Sequence, residues 1–380
     1  MSIRFYGIAA LAAILLAGCA DGPKTAGTPA RSAQYSMSID WKYALDPNPP
    51  AALGANPLEL GGIKSLQGVT YATSHRGTVI AIDEKTAKPR WEKQFDIPVT
   101  SGPVVTTKAV FVGLNDGTVV RLSRSSGEEI WRYDTGASLE NSVSSDGTIV
   151  ACTNANNRLF VLDAETGALK WRRERPRTSE FAMYGQAAPL ITEDTVYAGF
   201  SDGYLVAYAS VNGTAIWSRE LAPTARFKDL DAAPVRADGT LYVASSSGGL
   251  YALSADDGHT IWQRDIFGIT SIVPFQNNLY VSSQQGIMRL RRSDGQTYWQ
   301  NIVQNNALIS ALQVGKSSIY ATVQRYGLVV LDRREGTTRY AVETGSDFTS
   351  APSLTDGALL LMSNRSTIYR MFVEDAPLVR

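Results

Sequence analysis

Few side chains in this 380-residue chain could drive catalysis: there are two histidines, His75 and His259, and two cysteines, Cys19 and Cys152. The histidines stand in different segments, with no HExxH pair, no Cys/His spacing and no carboxylate cluster beside them, so nothing assembles a zinc or iron site. A hydrolytic triad would need a Ser on a GxSxG elbow, and the sequence has none. Gly61-Gly62 and Gly248-Gly249 lack the strand-to-helix context of a phosphate loop and read as turns. Acidic pairs such as Glu128-Glu129 and Asp256-Asp257 could in principle serve a glycosidase. Each sits beside a Gly, however, where an Asp bonding the backbone of its own turn explains it. No catalytic residue, metal or cofactor is expected.

Cys19 has a more specific context. Met1-Ser2-Ile3-Arg4 precedes an apolar run from Phe5 to Leu16 and the small residues Ala17-Gly18. One positive charge, a short hydrophobic core and a small-residue cleavage site describe a signal peptide over 1–18, since a membrane span needs about 20 apolar residues. Leu16-Ala17-Gly18-Cys19 resembles a bacterial lipobox. That resemblance implies cleavage before Cys19 and acylation of it, and Ala20 in place of Asp implies sorting to the outer membrane. Several acyl chains anchor far more firmly than one. Residues 20–38 are rich in Ala, Gly, Thr, Ser and Pro without apolar periodicity, so 19–38 reads as a flexible tether carrying lipidated Cys19. Cys152, in the apolar run from Thr148, is then left without a disulfide partner and reads as buried filler.

Lys plus Arg (36) balance Asp plus Glu (36), which gives no reason to expect nucleic acid or an anionic surface as partner. With 44% hydrophobic and 19% charged residues the composition is that of a globular protein with a substantial core.

The elements are set by a repeat. Tryptophans fall at 41, 91, 131, 171, 217, 262 and 299, at intervals of 50, 40, 40, 46, 45 and 37. A Gly stands four residues before five of them, at 127, 167, 213, 258 and 295; Ala87 replaces it before Trp91, and Tyr340 replaces Trp after Gly336. Upstream of each lie two apolar strands joined by turns such as Asn115-Asp-Gly117 and Ser201-Asp-Gly203, whose Gly suits a positive φ. A period of 40–45 residues in a β-rich chain marks a propeller. Each unit is one four-stranded antiparallel blade, which cannot bury both faces alone and must stack on its neighbours around a ring.

Seven units end at Trp91 through Tyr340, and an eighth, from Ala351 to Phe372, stops before any outer strand. Ile39-Asp-Trp41-Lys-Tyr43 supplies one, closing the ring and removing its free edges. The expectation is therefore an all-β, eight-bladed propeller over 39–373 closed by an N-terminal strand, with a tail at 374–380; seven blades is the nearest alternative. The tryptophans read as interblade core. The run Arg172-Arg173-Glu174-Arg175-Pro176-Arg177 reads as protection of a blade edge against pairing.

Asp163-Ala-Glu-Thr166-Gly167 before Trp171 resembles the tryptophan-docking repeat of quinoprotein dehydrogenases. Those enzymes hold pyrroloquinoline quinone under a vicinal disulfide beside calcium; this chain has no adjacent cysteines and is much shorter. Lipobox, tether, eight repeats and two lengthened units together resemble the BamB family, the propeller lipoproteins of the outer-membrane β-barrel assembly machinery. The resemblance implies a non-enzymatic scaffold whose partners are the POTRA domains of the insertase BamA, nascent outer-membrane proteins and, indirectly, the other lipoproteins of the complex. In that family the loops of two adjacent blades carry the insertase-binding motifs. The matching segments run from Glu180 to Pro189 and from Arg226 to Pro234. Asp229 and Asp231 fall at the family's acidic positions, Phe181 and Met183 at its apolar ones, and Tyr184 stands where the family has Arg. The remaining alternatives by residue content are a quinoprotein-like enzyme and a glycan-binding propeller.

Overall fold

The computed structural model describes residues 24–25, 37–46, 61–139, 142–176, 188–221, 230, 232–245, 248–303, 307–324, 327–342, 346–355 and 357–373. These form eight antiparallel sheets in a ring. In blade 3, for example, the strands are Ser144–Ser145, Ile149–Asn154, Arg158–Asp163 and Leu169–Glu174, running outward from the axis. The second and third strands of a blade are buried along nearly their whole length, as in Ala109–Gly113 and Thr118–Ser123 of blade 2, because a blade lies against each face. Outer strands keep only one face in: in Leu169–Glu174 only Trp171 is buried.

The ring closes as the repeat count requires. Met37–Ala44 is the outer strand of blade 8 and pairs antiparallel with Thr367–Val373. Eight clusters of buried side chains lie among the described residues, one at each junction between consecutive blades, including that of blades 8 and 1. Glu84 seals this last junction: its carboxylate accepts hydroxyl hydrogens from Ser65 and Thr70 of blade 1 and from Thr355 of blade 8.

Each tryptophan docks onto the next blade. The indole N–H of Trp91 donates to the carbonyl of Arg124 (2.8 Å), that of Trp171 to Ser210 (2.8 Å), that of Trp262 to Arg292 (2.9 Å), and that of Trp41 to Glu84 (2.9 Å). The repeat glycine of the next blade lies under the ring: a Cβ at Gly213, whose φ is +69°, would stand 2.5 Å from Trp171. Ala87, at the degenerate position, adopts φ 55° without that saving. Trp299 is the exception, a buried indole nitrogen with no acceptor.

Three details depart from expectation. The closing strand begins at Met37 rather than at residue 39, and Lys24–Thr25, within the proposed tether, forms a short parallel strand on the outer strand of blade 6, Thr297–Asn301. Gly62 is not a turn residue: blades 1 and 2 approach so closely there that a Cβ would lie 2.6 Å from the Cα of Gly102.

The strand order places the connections. After each outer strand the chain bonds the turn between the second and third strands, as in Phe95 N–H to Gly77 (2.9 Å), Thr135 to Gly117 (3.1 Å) and Leu221 to Gly203 (2.8 Å). These turns and all interblade connections therefore share one rim. The turns between third and fourth strands occupy the other; in Asp163-Ala-Glu-Thr-Gly167, Asp163 Oδ1 accepts from the N–H groups of Glu165 and Thr166 and from the Thr166 hydroxyl.

Trp171→Ala is expected to cost about 3–5 kcal/mol in urea unfolding, from lost burial and the cavity left behind. Gly213→Ala should destabilise markedly through the clash, whereas Ala87→Gly should stay within about 1 kcal/mol of the parent. Equal effects at positions 87 and 213 would contradict the docking account. The turn carboxylates contribute to the acid sensitivity. Arg90 donating to Asp83 holds its carboxyl at about 2, Arg291 does so for Asp294, and the Ser254 hydroxyl with His259 does so for Asp257. Folded values below the unfolded one mean a contribution complete above about pH 4 and lost as pH falls towards 2. The urea midpoint is expected to hold between about pH 5 and 8 and to fall below about pH 4; a midpoint that rises on acidification contradicts this.

Candidate functional site

Two successive connections are long, from blade 3 to blade 4 between Glu174 and Leu190 and from blade 4 to blade 5 between Glu220 and Ala232; the connection from blade 8 to blade 1, between Ala44 and Ile63, is longer still. The two successive ones lie on the connection rim. Cys19, Phe181, Met183, Tyr184, Asp229 and Asp231 all lie outside the described residues, but the footings of both connections are within them.

The first connection leaves blade 3 from a tightly held base. Asn157, fully buried at φ 61°, occupies the turn position that is glycine in most blades. Its amide donates to the carbonyls of Arg175 (3.4 Å) and Pro176 (3.2 Å), and its Oδ1 accepts the N–H of Ser201 in blade 4 (3.1 Å). The Arg175 guanidinium pairs with the buried Asp202 at 2.6 Å and lies 3.8 Å from the ring centroid of Tyr204. On its return the connection is tied to blade 3 again, where the Ser144 hydroxyl donates to the Pro189 carbonyl at 2.5 Å.

The second connection starts beside the same tyrosine. Tyr204 Oη donates to Glu220 at 3.3 Å, and Leu221 is buried immediately after it. Asp202, Arg175, Tyr204 and Glu220 form a continuous polar chain, so the two connections leave from one footing. Leu230, between the two acidic candidates, is 2% exposed and fills the space that Gly199 leaves open, where a Cβ would stand 2.6 Å from Leu230 Cδ1. Beside this footing a cleft of about 480 Å³ opens between blades 4 and 5, lined by Arg219, Glu220, Tyr251 and Gln263 among others. Its polar groups are largely paired, Arg219 with Thr260 and Gln263 with Tyr251 and the Gly248 carbonyl.

The basic run is more than edge protection. Arg173 donates to the Gly213 carbonyl (2.7 Å), and Arg175 reaches Asp202, so two of its arginines fasten blade 3 to blade 4. Asn157, Arg175, Asp202, Tyr204 and Leu230 were not candidates from the sequence. The one available signal was Asn157, which breaks the Gly pattern of its turn.

The residues present do not suit a quinone cofactor. Cys152, the one cysteine among the described residues, is buried in the interface of blades 2 and 3, where burial pushes its thiol up to about 12. No group of three His, Cys, Asp or Glu side chains is placed to hold a metal ion among the described residues. His259 lies exposed in a turn and bonds Asp257 at 2.7 Å.

A ring of eight four-stranded blades locked by tryptophan docking defines an eight-bladed propeller. The quinohemoprotein alcohol dehydrogenase from Comamonas testosteroni matches in structure with a TM-score of 0.65 at 14% identity over 90% of this chain and 77% of that one. The family described as "Outer membrane protein assembly factor BamB" matches residues 40–146 and 75–301, well over half of the chain. The chain belongs to that family.

BamB from Moraxella catarrhalis matches in structure with a TM-score of 0.74 at 19% identity, over 90% of this chain and 100% of that one. The BamB of Yersinia pestis is 24% identical over 173 residues, 42% of this chain and 44% of that protein. That of Bordetella pertussis is 24% identical over 205 residues, 53% and 51% respectively. The matched stretches thus span about half the length of these relatives. A quinoprotein ethanol dehydrogenase of Pseudomonas putida is 36% identical over only 67 residues, 17% of this chain.

Arg175→Ala and Asp202→Ala are each expected to cost about 1–3 kcal/mol, and the double variant about 1 kcal/mol less than their sum. Additive costs in a double-mutant cycle would show that the pair does not act as a unit.

Proposed function

We propose that this protein is a non-enzymatic, lipid-anchored scaffold on the periplasmic face of the outer membrane, which binds the POTRA domains of a BamA-like insertase and aids assembly of outer-membrane proteins. Cys19 carries the anchor. Phe181, Met183 and Tyr184 on the first long connection and Asp229 and Asp231 on the second form the insertase contact. Other lipoproteins of the complex are reached through the insertase, and nascent outer-membrane proteins are the clients.

The observation that carries this reading is the common footing of the two lengthened connections, in a chain whose family is named for outer-membrane protein assembly. Two connections rooted on one base can act together, and their apolar, aromatic and acidic residues are the types an interface uses. Leu230 supports the role of its neighbours by pinning the chain between them. Tyr184 supplies an amphipathic anchor where the family has Arg, so the first connection contributes through packing more than through charge.

Asp229→Lys with Asp231→Lys is expected to abolish copurification of the insertase from detergent-solubilised envelopes while leaving thermal unfolding unchanged. Intact copurification with the paired variant would remove these residues from the contact. The quinoprotein relatives give the competing reading its footing. Against it, purified protein is expected to show neither quinone absorbance nor stabilisation by calcium; either signal would restore an enzymatic role.

A further inference from the structure

Closing the ring removes the end edges of a propeller, but each blade still presents the free edge of its outer strand on the circumference. Charge is the usual protection of such edges. Seven of the outer strands carry Lys, Arg, Asp or Glu, from Arg90 and Glu92 in blade 1 to Asp40 and Lys42 in blade 8. Blade 6 is different: Thr297–Asn301 reads Thr-Tyr-Trp-Gln-Asn, with no such residue. Tyr298 within it is 44% exposed and Ile302 just beyond it 58%.

It is this edge that Lys24–Thr25 occupies, in parallel register, with Lys24 opposite Trp299 and Thr25 opposite Gln300. Lys24 is five residues from Cys19, a stretch that spans at most about 18 Å when extended. Were the chain unattached until Met37, the reach would be on the order of 60 Å and the propeller could turn any side to the bilayer.

The geometry points to blade 6 as the side of the propeller that faces the membrane, clamped there by strand pairing of the tether a few residues from the lipid anchor. The partner of this flank is a lipid surface. Exposed Tyr298 suits the interfacial zone, but Ile130, Ile216 and Ile261 are exposed at the same position of blades 2, 4 and 5, so it is the tether pairing that singles out blade 6. This assignment rests on the acylation of Cys19 proposed above; the pairing itself does not.

The test uses the full acylated chain reconstituted into phosphatidylethanolamine–phosphatidylglycerol liposomes that contain nitroxide headgroup lipids. A fluorophore on Gln296→Cys, beside the blade 6 edge, is expected to be quenched at least threefold more than one on Arg132→Cys in blade 2. Adding Thr25→Pro, which removes a backbone donor from the paired segment, is expected to abolish the difference. Separately, Thr25→Cys with Gln300→Cys is expected to form a disulfide under mild oxidation, since neighbouring strands lie about 4.8 Å apart, within the span a disulfide bridges. Equal quenching at the two sites on an acylated chain overturns the assignment, and absence of the disulfide overturns the clamp. Mass spectrometry of the N-terminal peptide separates these from failure of the anchor reading: an unacylated Cys19 removes the anchor, and the membrane-facing assignment with it.

Discussion

One contact organises this protein: the indole of an outer strand lying on the turn of the following blade, in most blades with its ring over a glycine and its nitrogen on a backbone carbonyl. The contact needs a flat, wide side chain on one partner and no side chain on the other, which is why Trp and Gly recur together. It also joins unlike positions on successive blades, so it can only be satisfied in series. The last indole must find the first turn. Trp41, near the start of the folded chain, belongs to blade 8 and reaches the Glu84 carbonyl of blade 1, and the Glu84 carboxylate gathers hydroxyls from both sides of that seam. The seam thus adds a carboxylate lock to the docking contact, as the arginines of blade 3 do at its junction with blade 4, and its turn residue, Ala87, stands where the other docked turns have glycine.

Because docking fixes every blade in the same orientation, it also decides what the rims can do. The rim of the turns between third and fourth strands is consumed by the contact, since those turns hold the glycine and the accepting carbonyl. The opposite rim is free to vary, and that is where the connections lengthen. Variation there would be of little use if each loop moved alone. The chain from Asp202 through Arg175 and Tyr204 to Glu220 gives two successive loops one base, built from side chains that the docking geometry leaves pointing along the rim.

The repeat was legible in the sequence because it is made of rare residues at regular spacing, and eight blades followed from counting them. The same logic explains what was not legible. Arg175 appeared as one member of a basic run, and only its position beside Tyr204 and Asp202 of the next blade separates it from Arg172, which is exposed. Leu230 looked like an ordinary apolar residue between two acids; its role depends on the gap above Gly199, thirty-one positions earlier. Gly62 was read as a turn because glycine usually marks one, whereas here it permits two backbones to touch. In each case the missing information was a contact between blades, which no local pattern encodes. The assignment of Phe181, Met183, Tyr184, Asp229 and Asp231 rests on resemblance alone, since these residues follow no period.

Charge on the outer strands bears on the same division between repeated and particular features. A propeller presents its outer edges to water and to every extended chain nearby, so the circumference is under steady selection against pairing. Trp occupies the inward position of the outer strand in most blades, which leaves the outward positions as the place for protective charge. An edge that omits it is exposed to capture, and the cheapest occupant is the chain's own N-terminal segment, whose local concentration is set by a short covalent path. Self-pairing of Lys24–Thr25 then covers the edge and fixes the N-terminal segment in a single step. Protection by charge and protection by occupancy are alternatives, and their distribution around the ring follows from which edge lies within reach of the N-terminus.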